Sequence, residues 1–483
     1  MLYFSTRSKK HTATASEAIL AGLAPDGGLF VPESLPQIDF EGWRHDTFQE
    51  IATKLFSYFL TDFSEAAIQD IVHKSYSENF DHPQISPIHW LDDDCAVLEL
   101  WHGPTLAFKD LALQCLPHLF EEAKKIQNIK ERFLILTATS GDTGKAAMSG
   151  FTGKKDILLA VFYPHKGVSS FQERQMLTSA KSNVRAFALE GNFDDCQRSI
   201  KAIMQDQAFV EKMKKHSLCL TSANSINIGR LIPQMVYYIF AYLQASDNYG
   251  DSLSVVVPSG NMGNILAARY CKEMGLPLGK IHLAANSNNV LHDFISGGRY
   301  NANRKLLKTT SPSMDILVAS NMERYLFLLT KDNYLTKSLM EKLKTCGDFS
   351  IDPALLDLSS SWVTEDQVFA MIKKIYTDYN YLLDPHSAVA AHACFNGDIS
   401  GRRLIVSTAS PYKFAESVLT ALDLQPAADD KNQILQIQNL VASCLPQAIE
   451  ELWENEPREK HLLQACQIEK AIDELIGSNY ETD

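Results

Sequence analysis

A lysine among apolar residues is the first place where this chain could do covalent chemistry. Lys109 lies early in a predicted helix, and its neighbours include Phe108 and Leu111. Removing water from an ammonium group lowers its pKa, so a lysine in such surroundings can become a free amine and form an imine with an aldehyde. A lysine in an apolar helix is more often a surface residue whose charge stays in water, and this alternative remains open.

A loop that could hold a phosphate is the second feature. Residues 259–264 read Ser-Gly-Asn-Met-Gly-Asn and connect a predicted strand to a predicted helix. Glycines allow close approach of the backbone, helix N-termini attract anions, and Asn264 can cap the helix. The spacing is not GxGxxG, so the dinucleotide fingerprint is missing, and an ordinary structural turn remains possible. A cofactor with both an aldehyde and a phosphate would need a lysine and such a loop.

A similar loop at 140–144 follows another predicted strand and suits a carboxylate or a phosphate. The pair Gly144-Lys145 looks like the end of a P-loop. Thr139, however, stands where the first glycine is required, and Ala146 stands where a magnesium-binding hydroxyl is required. A nucleotide triphosphatase is therefore disfavoured, while a plain strand-to-helix turn remains open.

Hydroxyl groups end a third predicted strand. Ser407 and Thr408 close an apolar run, and Pro411 can begin the next helix. Hydroxyls in this place are most often capping or solvated groups, and a ligand contact is the alternative.

Buried strands separated by helices must position these loops. Short apolar runs alternate with helical patterns from about residue 132 onward, which predicts an α/β fold with more than one parallel sheet. Residues 1–95 are predicted to form a separate, largely helical unit, and residues 425–483 a helical extension. The predicted strands are 132–138, 157–163, 184–191, 218–223, 253–260, 281–287 and 403–410.

Composition narrows the class of protein. The 483 residues have a formal net charge of −13, which disfavours a nucleic-acid partner. Nine cysteines without a CxxC pair argue against a disulfide framework and a structural zinc site, so we expect no metal and a cytoplasmic location. The apolar runs are far shorter than the roughly 20 residues of a membrane helix, and the N-terminus lacks the pattern of a signal peptide.

Taken together, the motifs of residues 3 to about 420 resemble the longer-chain threonine synthases. These belong to the tryptophan-synthase-β-like group (fold type II) of pyridoxal-phosphate enzymes. The motifs occur in the family's order. They are GLAPDGGLFVPESLP (22–36), LELWHGPTLAFKD (98–110), TSGDTGKAA (139–147), FYPHKGVSSFQERQM (162–176), EGNFDDCQ (190–197), NSINIGRLIPQ (224–234), VPSGNMGN (257–264), SPSMDILVASNMERYLF (311–327), LDPHSAVA (383–390) and STASPYKF (407–414).

The resemblance implies pyridoxal 5'-phosphate as the cofactor and assigns a role to several residues. Lys109 matches the Schiff-base lysine, and Thr408 matches the hydroxyl residue that faces the pyridine nitrogen. The cofactor-phosphate loop corresponds to Gly260, Asn261, Met262, Gly263 and Asn264. The turn that receives the substrate α-carboxylate corresponds to Ser140, Gly141, Asp142 and Thr143. Candidate contacts of a substrate phosphate are Lys145, Lys166, Arg174 and Arg230, for each of which an exposed surface charge is the alternative.

Three positions differ from the usual family pattern. Met262 stands in place of the more usual phenylalanine, and Ser410 stands in place of a histidine. His165-Lys166-Gly167 stands where His-Gly-Lys or Arg-Gly-Lys is commoner. The last two differences lie on the side of the site where the substrate is expected. They therefore bear on how the substrate is bound more than on how the cofactor is bound.

The resemblance also implies the reaction and the domains. O-phospho-L-homoserine and water would give L-threonine and phosphate by β,γ-replacement, the last step of threonine biosynthesis, with Lys109 as the base at Cα and Cβ. The predicted units are an N-terminal domain (1–95), a large cofactor-binding domain (96–132 and 224–424), a small mobile domain (133–223) and the extension (425–483).

Several alternatives stay open. A threonine-synthase-like phospho-lyase would give 2-oxobutyrate, ammonia and phosphate from the same substrate. A threonine or serine dehydratase would not need phosphate-binding residues, and a binding protein that keeps the fold would not need Lys109. We expect a small-molecule substrate and neither a membrane nor a nucleic-acid partner, and the sequence does not distinguish a monomer from a homodimer.

Overall fold

The computed structural model describes residues 1–178, 182–441 and 444–480. The strands are β1 (Tyr3–Ser5), β2 (Ser8–Ala13), β3 (Phe30–Pro32), β4 (Ile88–Trp90), β5 (Cys95–Glu99), β6 (Arg132–Ala138), β7 (Ile157–Pro164), β8 (Val184–Leu189), β9 (Leu218–Thr221), β10 (Leu253–Pro258), β11 (Leu278–Ala285), β12 (Arg299–Asn301), β13 (Asp348–Ser350), β14 (Ser359–Trp362), β15 (Arg403–Ser407) and β16 (Leu462–Leu463).

Helices cover both faces of the larger sheets. They are α1 (Ala15–Ala21), α2 (Phe48–Phe59), α3 (Glu65–Ser75), α4 (Asp110–Leu113), α5 (Leu116–Ile126), α6 (Asp142–Phe151), α7 (Ser170–Leu177), α8 (Phe193–Gln205), α9 (Gln207–Lys215), α10 (Ile228–Ala245), α11 (Gly263–Glu273), α12 (Val290–Gly297), α13 (Met322–Thr330), α14 (Asn333–Cys346), α15 (Glu365–Tyr379), α16 (Pro385–Asn396), α17 (Ala415–Ala421), α18 (Asp430–Val441), α19 (Gln447–Glu454) and α20 (Ile468–Tyr480). Within the described ranges, none of these helices combines the length and apolar character that crossing a lipid bilayer requires.

Two parallel sheets form the body of the protein. The larger sheet has the strand order β14-β11-β10-β15-β5-β4, in which only the edge strand β4 runs antiparallel to its neighbour. The smaller sheet has the order β16-β8-β7-β6-β9, and all its pairs are parallel. Strand β7 is buried along its whole length, as expected where helices cover both faces of a sheet. The predicted α/β fold with more than one parallel sheet is confirmed.

The N-terminal unit contains a sheet as well as the expected helices. Helices α2 and α3 lie where the amphipathic pattern predicts them, and α2 begins with a capping box between Thr47 and Glu50. Strands β2, β1 and β3 form a small antiparallel sheet that the sequence analysis did not identify. The hydroxyl of Tyr3 in this sheet donates to the carbonyl of Phe59 and so ties the sheet to α2.

The C-terminal segment contacts both sheets. Strand β16 pairs with β8 at the edge of the smaller sheet, and Ile472 of α20 is buried in an apolar cluster with Leu134 and Leu158. Helices α18 and α19 instead bury side chains such as Ile437 against the cluster of the larger sheet. The segment therefore docks on the body of the protein, a point that the sequence left open. The domain boundaries given above remain a prediction.

Replacing Ile472 with alanine tests this docking. We expect the free energy of unfolding to fall by about 2–5 kcal/mol, because the change removes three buried carbon atoms and leaves a cavity beneath the smaller sheet. Glu474→Ala on the exposed face of α20 is the matched control. Urea unfolding followed by circular dichroism measures both variants, and equal midpoints for the two would contradict the packing described.

Candidate active site

One cavity lies between the two sheets, at the carboxyl ends of β6, β10 and β15. Ligands bind at these ends in open parallel sheets, because the loops and the helix N-termini meet there. The residues that line the cavity include Lys109, Ser140, Thr143, Arg230, Gly260, Asn261, Met262, Gly263, Asn264 and Thr408. The structure therefore brings together the predicted lysine and parts of all three predicted loops.

The segment that carries Lys109 is fastened to the end of β15. The backbone N–H of Phe108 donates to the carbonyl of Thr408 at 2.9 Å, and that of Ser410 donates to the carbonyl of Leu106 at 3.1 Å. Leu106 has a φ of 60° and so adopts a left-handed conformation, which is uncommon for a leucine. Lys109 is thus positioned by a tight loop that is hydrogen-bonded to the end of a neighbouring strand, and not by the regular part of a helix.

A buried carboxylate closes the same loop. Asp110 accepts hydrogen bonds from the backbone N–H and the hydroxyl of Thr105, at 2.8 and 2.6 Å. Burial raises the pKa of Asp110 to about 6, against the opposing effect of these two hydrogen bonds. A Cβ on Gly103 would lie 2.5 Å from the Cβ of Asp110, so this close contact requires glycine.

The amine of Lys109 is held nearly free of water. Burial lowers its pKa to about 8, while the carboxylate of Asp142 works in the opposite direction. The Nζ atom donates to the hydroxyl of Ser313 at 3.3 Å and lies 3.6 Å from Asp142 Oδ2. The uncharged fraction of this amine near neutral pH is therefore far larger than that of an exposed lysine.

The loop at 259–264 leaves an amide donor available for an anion. Met262 has a φ of 59° and turns the chain into α11, and a Cβ on Gly260 would lie 2.8 Å from the carbonyl oxygen of Ser313. The hydroxyls of Tyr237 and Tyr238 both donate to Asn264 Oδ1, at 2.7 and 2.6 Å. Among the described residues, the buried Nδ2 of Asn264 has no hydrogen-bond partner. The loop fits the phosphate of a cofactor, because a phosphate oxygen would accept a hydrogen bond from this amide.

The turn after β6 is built around Gly141, whose φ of 129° is suited to glycine. The hydroxyl of Thr139 accepts from the backbone N–H groups of Gly141 and Gly144, at 3.0 and 2.8 Å. Ser140 and Thr143 line the cavity. Asp142 does not line it, because its carboxylate turns inward to Lys413, at 3.0 Å.

His386 is a residue of the cavity wall to which the sequence analysis assigned no role. Its Nδ1 lies 2.7 Å from Asp384 Oδ2, and its Nε2 accepts from the backbone N–H of Ser313 at 3.2 Å. Acceptance at Nε2 places the ring proton on Nδ1, where it faces the carboxylate. The motif LDPHSAVA contained this residue, but the partners of its two nitrogens become visible only in the fold.

The four candidate phosphate contacts lie in different places. Arg230 lines the cavity, and its Nη1 donates to the carbonyl of Ala223 at 3.0 Å. Lys145 lines a neighbouring cavity, Lys166 is exposed, and Arg174 donates to backbone carbonyls of α19 and the residue after it. In this conformation the structure therefore brings Arg230, and not the other three, next to Lys109.

Arg230 is the most unusual of these four residues. It is 3% exposed, and in the described part of the chain its Nε has no hydrogen-bond partner. Burial lowers its pKa to about 10. A buried guanidinium with spare donors is the group expected where an anionic ligand binds.

Lys201 of α8 also lines the cavity, and the sequence analysis missed it. It follows the motif EGNFDDCQ by four residues, and this helical spacing is the signal that could have identified it. No aspartate or glutamate of the described ranges lines the cavity, which has Lys109, Lys201 and Arg230 in its wall. The cavity is therefore built for ligands that carry negative charge.

Comparisons with known proteins agree over most of the chain. The pattern of the family "Threonine synthase N terminus" matches residues 2–76, and that of "Pyridoxal-phosphate dependent enzyme" matches residues 95–410. The chain is 38% identical to threonine synthase of Saccharomyces cerevisiae over 464 residues, with 87% of this chain and 89% of the yeast protein covered.

Two further comparisons concern a longer relative and a solved structure. The chain is 38% identical over 476 residues to the human protein "Threonine synthase-like 1", and this match covers 93% of the chain but 64% of the human protein. The crystal structure of pyridoxal-phosphate-bound threonine synthase from Brucella melitensis superimposes with a TM-score of 0.87, 34% identity and 99% of each chain covered. The fold, the cavity and these relatives together show that the chain belongs to the threonine synthase family of pyridoxal-phosphate dependent enzymes.

Proposed function

We propose that this chain is a threonine synthase, which converts O-phospho-L-homoserine and water to L-threonine and phosphate. One observation carries the proposal. A buried amine, a loop with an unpartnered amide donor and a buried arginine share one cavity, whose described wall contains no carboxylate. Two ligands with phosphate groups, the cofactor and the substrate, need such an environment. A dehydratase acting on an unphosphorylated amino acid would need a phosphate site only for the cofactor.

The cofactor and Lys109 have different roles in the proposed reaction. Pyridoxal 5'-phosphate, when bound, supplies a place for the electrons that are released at Cα and Cβ of the substrate. Lys109 would hold the cofactor, and its amine, once free, would move protons at Cα and Cβ of the substrate. Its burial suits this task, because an amine with a pKa near neutrality can both accept and return a proton.

Hydrogen-bonding groups around the cavity orient the two ligands. We assign Gly260, Asn261, Met262, Gly263 and Asn264 to the cofactor phosphate and Thr408 to the pyridine nitrogen. The turn of Ser140, Gly141, Asp142 and Thr143 holds the substrate α-carboxylate, to which the cavity-lining Ser140 and Thr143 offer hydroxyl groups. A hydroxyl at Thr408 does not donate a proton as an acid would, so it would leave the pyridine nitrogen of a bound cofactor largely uncharged.

Arg230 and Lys201 take the phosphate at Cγ of the substrate. Both are cations of the cavity wall, and they stabilise the charge that grows on phosphate as it leaves. We further propose that residues 133–223 move as a small domain, so that the cavity closes before water adds at Cβ. Lys145, Lys166 and Arg174 remain predicted contacts that such a movement would have to bring to the phosphate.

A phospho-lyase is the second candidate. The chain is as similar to human "Threonine synthase-like 1" as to yeast threonine synthase, so identity alone does not separate the two names. A phospho-lyase would release 2-oxobutyrate and ammonia in place of L-threonine.

We also propose a cytoplasmic location, which fits nine free cysteines in the described ranges.

Imine formation tests the role of Lys109. On addition of pyridoxal 5'-phosphate to cofactor-free protein, we expect an imine absorption band. The rate at which this band forms should increase with pH, and the midpoint of the increase should lie near pH 8. The reason is that burial lowers the pKa of the attacking amine from 10.5 to about 8. Lys109→Ala should abolish the band, while the exposed Lys215→Ala should keep it. A full band in Lys109→Ala would refute the assignment.

The products decide between the two candidate reactions. With O-phospho-L-homoserine as substrate, we expect L-threonine and phosphate in equal amounts. Chromatography of the amino acid and a colorimetric phosphate assay measure them, and a keto-acid assay runs in parallel. Release of 2-oxobutyrate without threonine would establish the phospho-lyase, and no phosphate release at all would contradict both.

Lys201→Ala tests the proposed phosphate contact. We expect KM for O-phospho-L-homoserine to rise about tenfold, the effect of losing one charge-assisted hydrogen bond, while the imine band stays unchanged. Lys215→Ala, an exposed lysine on the neighbouring helix α9, serves as the control. Equal KM values for the two variants would remove Lys201 from the substrate site.

A further inference from the structure

Lys413 is a buried lysine that has no role in the proposed reaction so far. It lies in the short turn Pro411–Phe414, five residues after Thr408, and its side chain is 0% exposed. Lys413 does not line the Lys109 cavity. Lysines are almost never fully buried without partners, so the contacts of its ammonium group indicate its purpose.

The three hydrogens of the Lys413 ammonium meet three acceptors. It donates to the carbonyl of Thr105 at 2.7 Å and to Gln175 Oε1 at 3.1 Å, and it pairs with Asp142 Oδ1 at 3.0 Å. Thr105 belongs to the loop that carries Lys109, whereas Asp142 and Gln175 belong to helices α6 and α7 beside the smaller sheet. One ammonium group therefore joins the Lys109 loop to two helices beside the smaller sheet.

Asp142 lies between two lysines. Its Oδ1 faces Lys413 and also accepts from Gln172 Nε2 at 2.9 Å. Its Oδ2 accepts from the Ser313 hydroxyl at 2.9 Å and lies 3.6 Å from Lys109 Nζ. The two ammonium groups hold the pKa of Asp142 well below its usual range in spite of its burial. A single carboxylate is therefore shared by Lys413 and Lys109.

We propose that Lys413 is a positioning residue for Lys109, which fixes Asp142 and takes up part of its charge so that Lys109 can release its proton. This inference rests on the proposed role of Lys109. Without Lys413, Asp142 would have Lys109 as its nearest cation and would hold the Lys109 proton more strongly. The other charged or titratable groups that act on these three residues are Asp110, Lys145, Arg230 and His386.

The pH dependence of imine formation tests the proposal. Full-length protein is freed of cofactor, pyridoxal 5'-phosphate is added at a series of pH values, and the signal of Lys109→Ala is subtracted. We expect Lys413→Met to raise the midpoint by about one pH unit, which lowers the rate near pH 7 about tenfold. Asp142→Asn should lower the midpoint, because it removes the carboxylate that favours the charged amine.

Two further variants separate this role from simple packing. Lys413→Arg keeps the charge and should restore much of the wild-type midpoint. The double variant Lys413→Met/Asp142→Asn should fall below Lys413→Met, because the carboxylate left unbalanced in the single variant is gone. Exposed Lys215→Met is the control for loss of a lysine. A purely structural role of Lys413 would lower the amplitude of the band in Lys413→Met and leave the midpoint of that variant in place.

The outcomes are distinct. A folded Lys413→Met with an unchanged midpoint, or with the same midpoint as the double variant, overturns the inference. If Lys413→Met does not fold by circular dichroism, Asp142→Asn decides: a lowered midpoint supports the shared carboxylate, and an unchanged or raised one overturns it. A wild-type protein without any band above Lys109→Ala instead refutes the proposed function itself.

Discussion

The removal of water from the Lys109 amine is the condition on which the rest of the site depends. A charged amine in a protein interior is costly unless a carboxylate balances it, and a full carboxylate partner would keep it charged. The environment of the Lys109 amine lies between these two limits. Asp142 is near Lys109, but its closer ion pair is with Lys413. Lys109 is thereby left poised between its two protonation states.

Backbone geometry supplies the anion sites that such a buried amine requires. Loops from both sheets end at helix N-termini, where N–H groups have no partner within the helix. Close packing then determines where glycine is required. Gly103 makes room for Asp110, and Gly260 makes room for the carbonyl of Ser313. Each of these contacts brings a loop from one element against a residue from another, so the cavity takes its shape from the assembled fold.

The N-terminal unit reaches the phosphate loop through a buried arginine. Arg324 Nε donates to the carbonyl of Phe30 in β3, and its Nη1 donates to Asn321 Oδ1 at 2.7 Å. Asn321 in turn donates through its backbone N–H to the carbonyl of Asn261. The small N-terminal sheet therefore supports the loop from behind.

The sequence by itself determined the fold class, the parallel strands and the three loops that follow them, because buried parallel strands and strand-to-helix turns leave local patterns of apolar residues and glycines. It also singled out Lys109 and the phosphate loop through motifs that are continuous in the chain. Only the tertiary structure decided how Asp142 is shared between Lys109 and Lys413, that Arg230 and Lys201 line the same cavity, and that His386 faces Asp384 and Ser313. Those relations join residues far apart in the chain. Their physical basis, burial together with the distance between charges, exists only once the two sheets have packed against each other.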